Sequence, residues 1–202
     1  MMIVSRFFLT ATDWVQSMKI NLDLDGVVFD WEMGYSDWLV SCKGFSRHEL
    51  PRATTWDFAN WPFDAQMGFK QHYKEFIEDG GLAALVPIQG AVEGTQRLSD
   101  LGYDIRITTH KLFYKGLHRK AISDTLECVE EWGIPFREFC VVTDKSQLDA
   151  DLMIDDGPRN LEPWVALGRK AVGYRQLYNQ NMIHNKNLLW ATTWPEVVAQ
   201  CE

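Results

Sequence analysis

The sequence predicts an α/β fold: a doubly wound parallel sheet covered by helices, with a small, mainly helical cap inserted after the first strand. Three observations predict it. From Pro87 onward, short apolar runs alternate with helix-period segments, and strands separated by helices pair in parallel through crossovers. Near the start, Lys19–Leu24 turns sharply at Asp25-Gly26, as a first strand entering a loop does. Between them, residues 31–85 hold eleven aromatic residues and a different texture from either flank. The expected organisation is an N-terminal extension over 1–17, a core from 18–30 and 86–202, and a cap over 31–85.

The elements follow in order. Residues 1–17 carry one Arg, a short apolar patch at Phe7–Leu9 and no clean cleavage site, a poor fit to a signal peptide. Met18 reads as a natural beginning that runs straight into the first strand, so the extension is expected to be dispensable. Deleting it should leave folding and activity intact; an insoluble product refutes that. In the cap, Asp64 is a plausible N-cap for a helix that places Phe69, Tyr73, Phe76 and Ile77 on one face. Gly80-Gly81 ends that helix. Ala91–Leu101 is a helix stopped by Gly102, and Asp104–Thr108 a strand. Leu117–Trp132 is a long helix stopped by Gly133, followed by strand Phe139–Val142 and the apolar run Asp151–Ile154. Leu161–Leu167 is a helix, Ala171–Tyr174 a strand, and Trp194–Gln200 a last helix opened by Thr193.

Composition bounds the function. With 46% apolar residues in 202, the chain can bury a core. A net charge of −8 argues against a nucleic acid polymer as partner, because polyanion binding needs clustered Lys and Arg. It does not exclude a small phosphorylated substrate, since a bound cation supplies positive charge locally. The four cysteines are far apart with no paired spacing, which fits reduced thiols in a cytoplasmic protein. No apolar run is long enough to span a membrane.

The chemistry gathers at strand ends. Asp23-Leu24-Asp25-Gly26, Thr108-Thr109, Lys145 and Asp155-Asp156 each close a predicted strand, and in a parallel sheet such ends share one edge. Taken singly each has a bland reading: an Asp-Gly turn, ordinary strand threonines, a surface lysine, a helix cap before Pro158. Together they place several carboxylates, a hydroxyl and an ammonium at one edge. Clustered carboxylates repel unless a cation sits among them, and oxygen-only ligands completed by substrate phosphate suit Mg²⁺. A carboxylate can attack phosphorus, and a second acid can protonate the leaving alkoxide and then deprotonate water.

This order of motifs resembles the haloacid dehalogenase-like superfamily of phosphatases, which have a Rossmann-like core. Residues 23–30, Asp-Leu-Asp-Gly-Val-Val-Phe-Asp, look like its first motif. Asp144-Lys145-Ser146 with 151–156, and the aromatic-rich insert, look more specifically like the 5′(3′)-deoxyribonucleotidases. The resemblance covers roughly residues 19–175. It implies Asp23 as nucleophile and metal ligand. Asp25 is implied as general acid/base, with its carbonyl on the metal. Thr109 is implied on a phosphate oxygen, Lys145 on the phosphoryl group, Asp155 as a Mg²⁺ ligand and Asp156 as support for the metal or its waters. His110 departs from the pattern, standing where those nucleotidases have a small hydroxyl residue; it is a candidate phosphate contact. Trp31 and Trp56 are the candidate base contacts, because a cap that recognises a nucleobase needs rings for stacking.

The expected activity is therefore hydrolysis of a nucleoside monophosphate, probed against two alternatives. One is a phosphatase for a sugar phosphate or another metabolite. The other is a signalling receiver phosphorylated on Asp, which places its acidic pair first rather than last and lacks room for the insert. Apolar rings on the insert could also serve a homodimer.

Overall fold

The structure is a computed structural model and describes residues 17–63, 68–182 and 185–202. The proposed extension and the Asp64 cap lie outside those residues. Six strands form one sheet in the order β3-β2-β1-β4-β5-β6: β1 Lys19–Leu22, β2 Asp104–Thr109, β3 Glu138–Val141, β4 Leu152–Asp155, β5 Lys170–Tyr174 and β6 Leu188–Ala191. Every pairing is parallel. β1 lies between β2 and β4, so the chain's winding reverses beside it, and ligands in such sheets bind beyond the strand ends at that reversal.

Successive residues of a strand point to opposite faces, and the core divides accordingly. Met153, Ala171 and Leu188 pack with Leu161, Trp164 and Val165 of α5 (Pro158–Ala166). Their neighbours Leu152, Ile154 and Val172 join the larger cluster with Ile20, Leu22 and Ile107. That cluster also takes residues of α3 (Ala91–Asp100), α4 (His118–Glu131) and α6 (Trp194–Cys201). Trp194 is fully buried, its indole N–H donating to the Val27 carbonyl at 2.9 Å. Helix α5 begins three residues before its expected start because Pro158 fits the first turn, where its missing N–H costs nothing.

The insertion holds α1 (Trp31–Lys43), a single turn at Arg47–Glu49 and α2 (Gly68–Glu78). Asp30 caps α1, accepting from the Met33 N–H at 3.1 Å, and Gly44 ends it in the left-handed conformation. Tyr35, Trp61, Tyr73 and Phe76 are its buried rings among the described residues, with Tyr35 5.2–5.9 Å from each of the others. Its two connections to the core run side by side. Asp30 N–H donates to Val86 O at 3.0 Å and Ile88 N–H to Val28 O at 2.8 Å.

Candidate functional site

Four strand ends converge beneath the insertion. β1 delivers Asp23, whose N–H still follows the sheet, donating to Ile154 O at 2.9 Å. The chain then turns through Asp25 and Gly26, whose φ is +78°. Glycine is required there for a second reason: a Cβ would collide with the Asp156 carboxylate. β2 ends at Thr109, β4 at Asp155, and the turn before β4 carries Lys145.

The centre is a buried ion cluster. Lys145 Nζ lies 2.8 Å from Asp23 Oδ1 and 2.7 Å from Asp155 Oδ2. Burial alone would lower the Lys145 pKa, but Asp155 and Asp23 outweigh it and hold the ammonium charged. Asp23 Oδ1 also accepts the Leu24 N–H at 2.8 Å. Burial pushes the Asp23 carboxyl up to about 7, with Asp155 and Asp25 adding to the rise and Lys145 opposing it. Asp156 is pushed well up by burial and by the charges of Asp23 and Asp155.

The two adjacent acids differ in what their oxygens do. Asp155 Oδ1 accepts from the Gly157 N–H at 2.8 Å and from Asn160 Nδ2 at 3.0 Å, and its Oδ2 holds Lys145. Asp156 Oδ2 accepts from the Tyr178 hydroxyl, while its Oδ1 is buried without a partner. Asp25 is similar: Lys111 Nζ reaches Oδ2 at 2.5 Å, and Oδ1 is buried and unpartnered. Asp23, Asp155 and Asp156 each offer an oxygen within 4.8 Å of the others. A free carboxylate oxygen of Asp156 within this acidic cluster fits a hard divalent cation.

Above this floor lies a cavity of about 640 Å³, within the range of small-ligand sites. Asp23, Asp25, Thr109, His110, Lys145, Asp156, Trp31 and Trp56 all line it. Asp155 does not; it is fully buried below. Thr109 rather than Thr108 faces the cavity, while Thr108 is spent on the Leu22 carbonyl. His110 lies against Phe113 with ring centroids 4.3 Å apart and planes tilted by 46°, and burial, then Arg159, Lys145 and Lys111, lowers its pKa. Trp31 meets Tyr35, Phe58 and Tyr73 at 5.3–5.5 Å in an aromatic wall. Trp56 stands elsewhere on the rim, edge-on to Tyr178 at 5.2 Å and under the Arg159 guanidinium at 4.8 Å.

Sequence reasoning missed Lys111 and Tyr178. Lys111 is 2% exposed, although it reads as a loop lysine two residues past the second motif. A hydrophilic residue so close to a strand end was the available signal. Tyr178 follows β5 with no motif to mark it.

Comparison with known proteins extends this. Residues 16–201 match the family described as 5′ nucleotidase, deoxy (pyrimidine), cytosolic type C protein. A protein of Chlorobaculum tepidum provisionally named a 5′(3′)-deoxyribonucleotidase is 28% identical, over 90% of this chain and 88% of its own. Among solved structures, a haloacid dehalogenase-like family hydrolase from Streptococcus pneumoniae superposes with a TM-score of 0.57 at 16% identity, covering 92% of this chain and 99% of that one. A defluorinating L-2-haloacid dehalogenase gives 0.58 at 13% identity, covering 91% and 94%. At such identities the structural likeness speaks for the fold alone.

Proposed function

The chain belongs to the family of cytosolic type C deoxy (pyrimidine) 5′ nucleotidases, a family of phosphoric monoester hydrolases, and from that membership we propose that it removes phosphate from a nucleoside monophosphate through an aspartyl-phosphate on Asp23. The observation that carries this is the pairing of a Lys145-centred carboxylate cluster with an aromatic wall across one cavity. Phosphate belongs at the first and a flat base at the second. The segment 31–85 then acts as the cap.

Asp23, the Asp25 carbonyl and Asp156 would hold Mg²⁺, which on binding offsets charge on the phosphoryl oxygens. Asp155, with its oxygens already engaged, serves instead to hold Lys145 in place. Asp23 Oδ1 is fixed by Lys145 and the Leu24 N–H, which leaves Oδ2 to attack phosphorus. As that bond forms, the ester P–O bond breaks, and Asp25, through Oδ1, gives its proton to the leaving alkoxide. Asp25 then takes a proton from water, whose oxygen attacks phosphorus. The aspartyl P–O bond breaks, releasing phosphate and restoring Asp23. Lys145 stays charged throughout and stabilises the transferring group with Thr109 and His110. Lys111 fixes the Asp25 carboxyl so that Oδ1 faces the leaving oxygen.

The test is a panel of phosphomonoesters with Mg²⁺ and with chelator. Deoxynucleoside monophosphates should turn over fastest, and chelation should abolish the rate. Equal turnover of sugar phosphates rejects the nucleotidase reading, and full activity in chelator rejects the metal.

A further inference from the structure

We propose that Tyr178 is a positioning residue for Asp156 and that Trp56, seated on it, couples the packing of the insertion's rim to the affinity of the metal site. The inference rests on the reading of Asp156 as a metal ligand. Tyr178 is supplied by a single turn, Leu177–Asn179, that clamps Asp156 twice. Its hydroxyl donates to Asp156 Oδ2. The next residue, Asn179, donates from Nδ2 to the Asp156 carbonyl at 2.9 Å and to Tyr174 O at 2.8 Å, tying the turn to the end of β5. Gly26 leaves room for this contact, since a Cβ there would collide with Asp156 Oδ2 and come within 3.0 Å of the Tyr178 hydroxyl. With Oδ2 so engaged, Oδ1 is the oxygen left to bind a cation, and it has no hydrogen-bond partner among the described residues. A hydroxyl that occupies one carboxylate oxygen and thereby aims the other is how outer residues set a metal ligand.

The coupling comes from the other side of the Tyr178 ring. Trp56 belongs to the insertion, yet it packs edge-on against Tyr178 with centroids 5.2 Å apart. A Cβ built on Gly157, the residue after Asp156, would come within 3.1 Å of its Cη2. Arg159 of α5 covers the same indole at 4.8 Å. The rim of the insertion therefore leans on Tyr178, which fixes the metal carboxylate, and on Gly157, the residue that follows it. Whatever favours the seated indole favours the aimed Oδ1, and by linkage the ion favours the seated indole in return.

The experiment titrates the full chain with MgCl₂ by calorimetry, without substrate. Tyr178→Phe keeps the ring under Trp56 and removes the hydroxyl. It should weaken Mg²⁺ binding about tenfold or more, while the metal-free protein still melts cooperatively. Trp56→Ala should weaken binding about threefold, and should add little in the Tyr178→Phe background, because both changes act through one hydroxyl. Wild-type affinity in Tyr178→Phe overturns the positioning role; additive losses overturn the coupling. If Tyr178→Phe does not fold, Trp56→Ala decides alone: unchanged affinity counts against the proposal, weakened affinity for it. Mg²⁺ binding without phosphatase activity would sink the proposed function and leave this inference standing. A wild type that binds no Mg²⁺ removes the metal site, and this inference with it.

Discussion

At the scale of single residues, Asp23 shares the cost of the site with Asp156. The Asp23 carboxyl sits at about 7 in the fold against an ordinary 3.8, chiefly through burial. The folded protein therefore holds this proton more tightly than the unfolded chain does, so stability falls as pH rises from about 4 to 7 and stays reduced above. Asp23→Asn removes that dependence. In chelator, the Tm of the variant relative to wild type should climb between pH 5 and pH 8, as read by calorimetry. The same variant should lose activity by several orders of magnitude, since an amide cannot attack phosphorus. Lys111→Met should cost about 2–3 kcal/mol of stability, because a buried charge pair loses one partner; the value is held down by the partial exposure of Asp25. Its kcat should fall more for nucleotides than for nitrophenyl phosphate, whose leaving group needs little protonation. Equal losses on both substrates would free Lys111 from any part in placing the acid. These residues differ in how legible they were. Asp23, Asp25, Lys145, Asp155 and Asp156 stood out because carboxylates and a lysine at four strand ends have few structural uses. Lys111 and Tyr178 did not, because burial of a loop lysine or a tyrosine depends on what packs over it.

At the scale of elements, strands and helices of the core were legible through turn residues and periodicity: Gly102, Gly133 and Gly168 each fall where a helix stops. Two elements escaped. β6 is an edge strand whose Leu-Leu-Trp-Ala has no alternation to read. α1 carries Trp31, Tyr35, Trp38 and Leu39 at helical spacing, yet among so many rings the period did not stand out. Its start is a junction. The Asp30 carboxylate caps the helix and takes a two-pronged contact from Arg52, at 2.7 and 2.5 Å. Burial would raise the Asp30 pKa, but Arg52 and the Met33 N–H hold it below the usual range. Asp30→Ala should cost about 1 kcal/mol through the lost cap and lower Tm by roughly 2–4 °C. It also frees the loop that carries Trp56. A change in KM larger than the change in kcat should accompany it, measured on the preferred nucleotide.

At the scale of the molecule, the proposed ion at the acidic cluster would tie the stability of the fold to cation binding. A ligand that binds only the folded state stabilises it by mass action, about 2.7 kcal/mol at a hundredfold excess over Kd. Mg²⁺ at that excess should raise Tm by roughly 5–10 °C. The gain should be larger at pH 8 than at pH 5, where Asp23 holds a proton that competes with the cation. A Tm indifferent to Mg²⁺ at both pH values would argue that the free oxygen of Asp156 serves some other end.

The paired connections of the insertion have a consequence for how such a protein can change. Asp30 and Val86 are hydrogen-bonded neighbours, as are Val28 and Ile88. The core chain therefore leaves and returns at one point, and closing that gap without the intervening segment needs only a short hairpin. A different roof could be grafted there, or this one lengthened, without disturbing the sheet or the carboxylates below. The selectivity of the enzyme and its chemistry are thus free to diversify separately, and a chimera that kept phosphatase activity under a foreign roof would demonstrate it.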